Sequence, residues 1–301
     1  MKSCAFKFPC LIAILGVGLS GMGQTSASTN QEKGFTEIES FQGILNSSEK
    51  LLKLDSTLGY DFNKHFGVFA GLPIYFTNVS TNSTAATAST GTSGSTTNNG
   101  IGNTYLGFIL RVPHQEWNFA STITAAAPTG STRKGYSSGR VNVDWSNRLE
   151  YSFERVTPFF EGGLANTVPD SALLTRPFTS LGVVGHLEEG ADFELGHHFS
   201  VGASAYEILP TGNQKVFSKL VETGGSGKGP GRHGRTFELV PVSSGADLTR
   251  ENGFNTWAGF EPNQFWRLEA GYSRSMTFDF NSFAFNLGLN VGKLVRSRKG
   301  H

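Results

Sequence analysis

Sulfur is scarce in this chain. Methionine occurs 3 times, and the two cysteines, Cys4 and Cys10, both lie near the N-terminus. Beyond them no disulfide, thiol nucleophile or cysteine-ligated metal site can form. Neither cysteine follows a Leu-x-x pattern of the lipobox kind, so the sequence does not read as a lipoprotein. Net charge is lacking as well. The 25 Lys and Arg stand against 24 Asp and Glu, a balance with no bulk attraction for nucleic acid. Long apolar runs are missing past the N-terminus, and a mean hydropathy of −0.20 excludes a bundle of membrane-spanning helices. Past residue 50, no stretch longer than two turns keeps a helical period.

What is abundant is glycine, 38 residues, and phenylalanine, 25. Glycine weakens helices and aromatics favour strands. The N-terminus reads as an export leader: Lys2 and Lys7, an uncharged apolar stretch over 11–22, then Thr25 and Ala27 at the −3 and −1 positions of a cleavage site. That stretch is too short to span a bilayer comfortably. The expected mature chain starts near Ser28, and without Lys2 and Lys7 its basic residues number 23 against 24 acidic ones.

Period-two alternation dominates the rest. Leu52, Leu54, Leu58 and Tyr60 alternate with Lys53, Asp55, Thr57 and Gly59; Val143, Trp145 and Leu149 alternate with Asp144, Arg148 and Glu150. Successive strand residues face opposite sides, so each such run has one apolar and one polar face. A soluble sandwich would show this too. Three features point instead to a transmembrane barrel. Many runs approach or exceed the 9–11 residues that a tilted strand needs to cross a bilayer. Five short turns, at 61–65, 114–116, 154–155, 196–198 and 261–264, carry aromatics at their edges and would align as one interfacial girdle. The connections of the other side, 77–100, 128–139, 167–177 and 210–252, are long and polar. Short periplasmic turns and long extracellular loops are the outer-membrane pattern.

Counting strands gives 51–62, 66–76, 101–113, 117–127, 140–153, 156–166, 179–195, 199–209, 253–260, 265–274 and 281–293, with 35–45 needed as the first so that both ends finish in the periplasm. The expected fold is therefore an all-β antiparallel barrel of about twelve strands over 51–295. It follows a segment, 28–50, that holds the first strand, and precedes a basic tail at 296–301. The runs 214–222 and 235–243 read as a hairpin above the membrane. Glu189 falls on the apolar face, and a bulge near Gly190 is expected to turn it inward.

The stretch Gly100-Ile101-Gly102-Asn103-Thr104-Tyr105-Leu106-Gly107-Phe108, with Ala126-Ala127-Pro128-Thr129-Gly130 after it, resembles the bacterial family of phenol-degradation meta-pathway proteins. That family shows a G-x-G-D-x-x-L-G strand followed by one ending in P-T-G; Asn103 stands here where Asp is usual. The resemblance implies an outer-membrane transporter-like barrel with a role toward aromatic compounds, and it carries no catalytic residues.

The polar face supplies the lumen candidates: Lys53, Asp55, Arg111, Asp144, Arg148, Glu150, Glu161, His186, Glu188, Asp192, Arg267 and Glu269, with Asp61 and Glu194 beside them. Acids outnumber Lys and Arg nine to four in that set, a mild preference for cations if water fills the bore. The other reading is a salt-bridged, filled barrel, and twelve strands fall between the filled eight and the open sixteen. Tyr75, Tyr105, Tyr206 and Trp257 are natural contacts for aromatic solutes. The expected partners are small solutes, membrane lipid and lipopolysaccharide, the last through Lys228, Arg232 and Arg235.

Other motifs carry less. Residues 224–235 miss phosphate-loop spacing, since Gly229 follows Lys228. His198 and Ser200 share a strand face, but at the turn end, away from the outer leaflet where a lipase would work. His197 and His198 point opposite ways and make no metal site. No cofactor and no enzymatic activity are expected. The reading that follows is a barrel for passive or selective diffusion of small solutes. A non-conducting scaffold or adhesion barrel, and a secreted soluble β-protein, are the alternatives.

Overall fold

The computed structural model describes residues 33–45, 49–81, 94–220 and 249–299. The leader, the 224–235 loop and the 235–243 run lie outside the described residues. The first strands are β1 (Gly34–Leu45), β2 (Glu49–Asp61), β3 (Phe66–Thr81), β4 (Gly94–Ile101), β5 (Tyr105–Pro113) and β6 (Trp117–Ala126). Next come β7 (Asn142–Tyr151), β8 (Val156–Ala165), β9 (Phe178–Leu181), β10 (Val184–Glu194) and β11 (Phe199–Pro210). The last are β12 (Lys215–Ser218), β13 (Glu251–Phe260), β14 (Trp266–Ser275) and β15 (Phe280–Leu289), followed by helix α1 (Val291–Lys299).

Twelve strands close one antiparallel barrel: β1, β2, β3, β5, β6, β7, β8, β10, β11, β13, β14 and β15 pair in that order, and β15 returns to β1. All twelve expected strands are present, including the first, whose weak alternation comes from Glu37 and Glu39 on its outer face. The five expected tight turns all join barrel strands at one end, the turn end; the long connections leave the other, the loop end.

The barrel is inside out relative to a soluble fold. Lys53, Asp55, Arg148, Glu161 and Asp192 are buried, whereas Leu58, Leu106, Trp145, Leu164 and Phe283 are each about half exposed on the outside. Exposed apolar area this continuous requires a partner of matching polarity, and a bilayer supplies one. At the turn end, rings crowd together: Tyr151 with Phe153, Phe199 with Phe260, and His114 stacked on Trp117, with centroids 4.5, 4.7 and 5.3 Å apart.

Several expectations need correction. Residues 77–100 are not all loop: β3 continues to Thr81 and pairs with β4, so this hairpin rises beyond the rim. The 101–113 run breaks at 102–104, where the Gly102 amide bonds the Pro73 carbonyl and the chain turns from β4 into β5. The 179–195 run also breaks. Gly182, at φ +153°, ends β9, which leaves the barrel. A side chain at Gly182 would collide with Gln214. β9 pairs with β12, so Lys215–Ser218 joins Phe178–Leu181 in a small two-stranded sheet; the 235–243 half of the expected hairpin lies outside the described residues. Glu189 is not turned inward. The ladder runs unbroken through Glu189↔Ala205 and Glu189↔Phe160, so parity puts its carboxylate outside, between Leu187 and Ala191. The last strand stops at Leu289, well before Val295, because the Asn290 side chain caps a helix by accepting from the Lys293 amide (2.9 Å).

Candidate functional site

Inward parity gathers the polar side chains in layers along the axis. At the loop end, the connection 166–177 folds into the bore. On one side Gln42 of β1 donates to the carbonyls of Ser171 (3.0 Å) and Ala172 (2.7 Å). Asp170 takes the Tyr75 hydroxyl (3.2 Å) and lies 3.8 Å from Lys53 and 3.4 Å from Lys219. On the far side Arg176 pairs with Glu251 at 2.6 Å, and Glu251 also accepts from Tyr206 (2.8 Å). Leu173 packs where a Cβ on Gly271 of β14 would stand. One loop thus spans the bore from β1–β3 to β13–β14.

Burial sets the charge states of this loop cluster. Burial alone would raise the Asp170 carboxyl, but Lys219, Lys53 and Arg176 outweigh it and hold it below the usual carboxylate range. Burial brings the Lys219 ammonium down to about 8, although Asp170 pulls it the other way.

Below the loop, Lys53 pairs with Asp55 (2.9 Å), which accepts from Tyr105 (2.9 Å). His186 meets Asp144 at 3.0 Å. Arg148 is the hub of the middle layer: it pairs with Glu150 (2.7 Å) and Glu161 (3.2 Å), and its guanidinium lies 3.6 Å from the centre of the Phe159 ring. Asp192 stands 3.8 Å from Arg148 and accepts from the Trp257 indole (2.7 Å). Glu188 accepts from Ser204 and Asn255. Toward the turn end, Arg111 pairs with Asp61 (2.6 Å) and Arg267 with Glu269 (3.2 Å). All sixteen candidate side chains sit on inward-facing positions. Most of the charges are neutralised by a neighbour, so the nine-to-four excess of acids does not read as a free negative field.

Sequence reasoning missed two groups. Asp170, Arg176 and Lys219 lie in connections, where no alternation marks a direction. Phe69 and Phe159 share inward parity with Tyr75 and Glu161, so parity alone would have found them. Their placement depends on glycine. On β3 and β5 the opposed pairs are Phe69↔Gly107 and Gly71↔Tyr105. On β11 and β13 they are Gly202↔Trp257 and Tyr206↔Gly253; on β8 and β10, Phe159↔Gly190 and Gly163↔His186. In all six, a Cβ on the glycine would meet the opposed ring within 3.0 Å, down to 1.9 Å at Gly107. Each ring therefore lies flat along the wall over its glycine, and the bore keeps its width.

The motif at 100–108 and 126–130 has a similar physical basis. Thr129 Oγ1 accepts from the Thr104 amide and donates to the Gly102 carbonyl, both 2.8 Å. The Ala127 amide bonds the Thr104 carbonyl (2.8 Å), and Asn103 accepts from the Gly130 amide (3.3 Å). The two stretches clasp each other at the bend between β4 and β5.

Among the described residues, the bore keeps open space at both its ends. A cavity of about 270 Å³ opens at the turn end among Asp61, Arg111, Arg148, Arg267 and Lys293. A second, of about 150 Å³, lies under the inward loop between Tyr75, Tyr105, Tyr136, Phe178 and Asp170. Tyr136 stacks on Tyr75 at 5.1 Å.

The family described as "Putative MetA-pathway of phenol degradation" matches residues 22–159. No curated protein matches the sequence. Among solved structures, the chain is similar to the COG4313 outer membrane channel from Pseudomonas putida F1, at TM-score 0.59 and 10% identity, over 89% of this chain and 99% of that one. It also aligns with the NanC porin (TM-score 0.44, 7% identity, 85% and 99% covered). A third match is the Pseudomonas putida toluene transporter TodX (0.38, 10%, 91% and 93%). The first of these establishes the shared architecture: this chain is a closed twelve-stranded antiparallel β-barrel with the fold of an outer membrane channel, and its first half matches the phenol-degradation family named above.

Proposed function

We propose that this barrel lets small solutes diffuse passively across the outer membrane, with planar aromatic or other poorly polar compounds as its favoured class. The chain reaches that membrane through a leader cleaved after Ala27, and lipid and lipopolysaccharide are its surroundings. One observation carries the reading. The bore is not packed solid: cavities of about 270 and 150 Å³ lie one behind the other along it. Aromatic rings flattened over glycines line the path, and the charges beside them are paired, which suits a solute without net charge. The similar Pseudomonas putida protein is an outer membrane channel, which agrees with this reading.

Planar-bilayer recording on purified protein tests it. Stepwise openings in concentrated KCl are expected, with the current reduced by benzamide, a neutral soluble aromatic, and not by an equal concentration of ribose. Silence across many insertions would overturn the proposal. It would favour a non-conducting scaffold, a reading supported by the ion pairs that tie the 166–177 loop across the bore.

A further inference from the structure

The two cavities have different walls, with one exception. Phe69 lines both. It is 2% exposed, on the inward face of β3. Its ring lies over Gly107, where a Cβ would stand 1.9 Å from the ring's Cζ, and the Tyr105 ring meets it edge-on at 6.1 Å.

Tyr105, Trp257 and Arg148, large groups of the bore wall, are tied. Tyr105 bonds Asp55 (2.9 Å) and shares a hydrogen with Thr57 (2.6 Å). Trp257 donates to Asp192, and Arg148 is held by Glu150 and Glu161. A phenyl ring has no donor or acceptor, so packing alone holds Phe69, and rotation about χ1 breaks no hydrogen bond. Flush on Gly107, the ring keeps to the wall. Turned off it, the ring stands in the stretch of bore that borders both chambers.

We infer that Phe69 is the gate between the two chambers and that Gly107 is its seat, so that the ring's position sets the size of solute that passes. This inference rests on the reading of the barrel as a conductor. It makes two variants act in opposite directions. Phe69→Ala removes the partition and joins the chambers. Gly107→Ala places a methyl where the ring lies and pushes the ring into the bore.

The test is single-channel conductance and its reduction by benzamide, for wild type, Phe69→Ala, Phe69→Leu, Gly107→Ala and Phe108→Ala. Phe108 is the neighbouring ring on the outer face, 44% exposed. Heat-modifiable electrophoretic mobility reports folding of each. A several-fold rise is expected for Phe69→Ala, a smaller rise for Phe69→Leu, a fall for Gly107→Ala and no change for Phe108→Ala; benzamide block weakens in Phe69→Ala. If wild type conducts and Phe69→Ala conducts equally, the gate is refuted while conduction stands. If both Phe69→Ala and Gly107→Ala rise, general loosening explains the data and the gate is refuted. Silence of every folded variant, Phe69→Ala included, overturns conduction and the gate with it. A silent wild type overturns conduction, and the gate with it, whatever Phe69→Ala does.

Discussion

The loop-end and turn-end halves of the bore are built on different plans. In the loop-end half a connection enters the barrel and is fixed from both sides, by Gln42, Lys53 and Tyr75 of one wall together with Lys219 of a second connection, and by Glu251 on the other wall. In the turn-end half, among the described residues, no connection enters. Arg111 and Arg267 pair with acids of their own or adjoining strands and turns, and a cavity of about 270 Å³ remains. The contrast shows how one barrel wall can serve either a plug or a vestibule. Ion pairs between wall and loop close the bore, whereas ion pairs along the wall leave it open.

The strongest way to break this contrast is to cut the loop's far anchor. Arg176→Ala leaves Glu251 buried with Tyr206 as its remaining charge-stabilising partner, and a stranded buried charge costs about 3–5 kcal/mol. Urea unfolding in lipid vesicles should show that loss, and bilayer recording should show higher conductance. Arg267→Ala is the control in the open half. Its side chain is 18% exposed and its second partner, Glu261, 54% exposed, so water screens this cluster more and its loss is expected to cost less than that of Arg176. Equal losses for the two variants would erase the distinction between the halves.

A second test bears on the wall itself. Gly202→Ala would place a Cβ 2.2 Å from the Trp257 ring. Overpacking of this kind costs about 1–3 kcal/mol. Tryptophan fluorescence should shift as the indole leaves Asp192; an unchanged spectrum would mean that the glycines are not needed to seat the rings.

Outside the bore, Glu189→Leu is expected to stabilise by about 1–2 kcal/mol, since a lipid-facing acid is unfavourable at mid-depth. Unfolding in vesicles measures it, and a loss of stability would show that the carboxylate has a partner in the membrane.

The smallest effect concerns pH. Lys219 titrates near 8 in the fold, below its ordinary 10.5. Between those values the unfolded chain binds more protons than the folded one, so this residue's contribution to stability rises with pH across that window. Comparing wild type with Lys219→Met from pH 8 to 10 isolates it. Asp170 works at the other extreme. Its lowered carboxyl contributes stability above its unfolded value of 3.8, which is lost as pH falls below that value.

Much of this was legible in the residues. Alternation at Lys53–Asp61 and Asn142–Glu150 identified strands and faces, because a strand's side chains must alternate whatever surrounds them. Inward parity therefore located Arg148 and Asp192 without any structure. Parity failed where the chain leaves the ladder. Nothing local shows that Gly182 diverts β9, that Asn290 caps a helix, or that Asp170 lies beside Lys53, since those depend on residues distant in sequence.

By itself, the sequence determined the number of barrel strands, the alternation of their faces, and the end at which each connection lies. These follow from a period of two and from turn lengths, both local properties of the backbone. Only the tertiary structure decided which connection enters the bore, which charges neutralise one another, and which ring stands between the two chambers. Each of those is a matter of distance across a closed barrel, and such distances exist only once β15 has paired with β1.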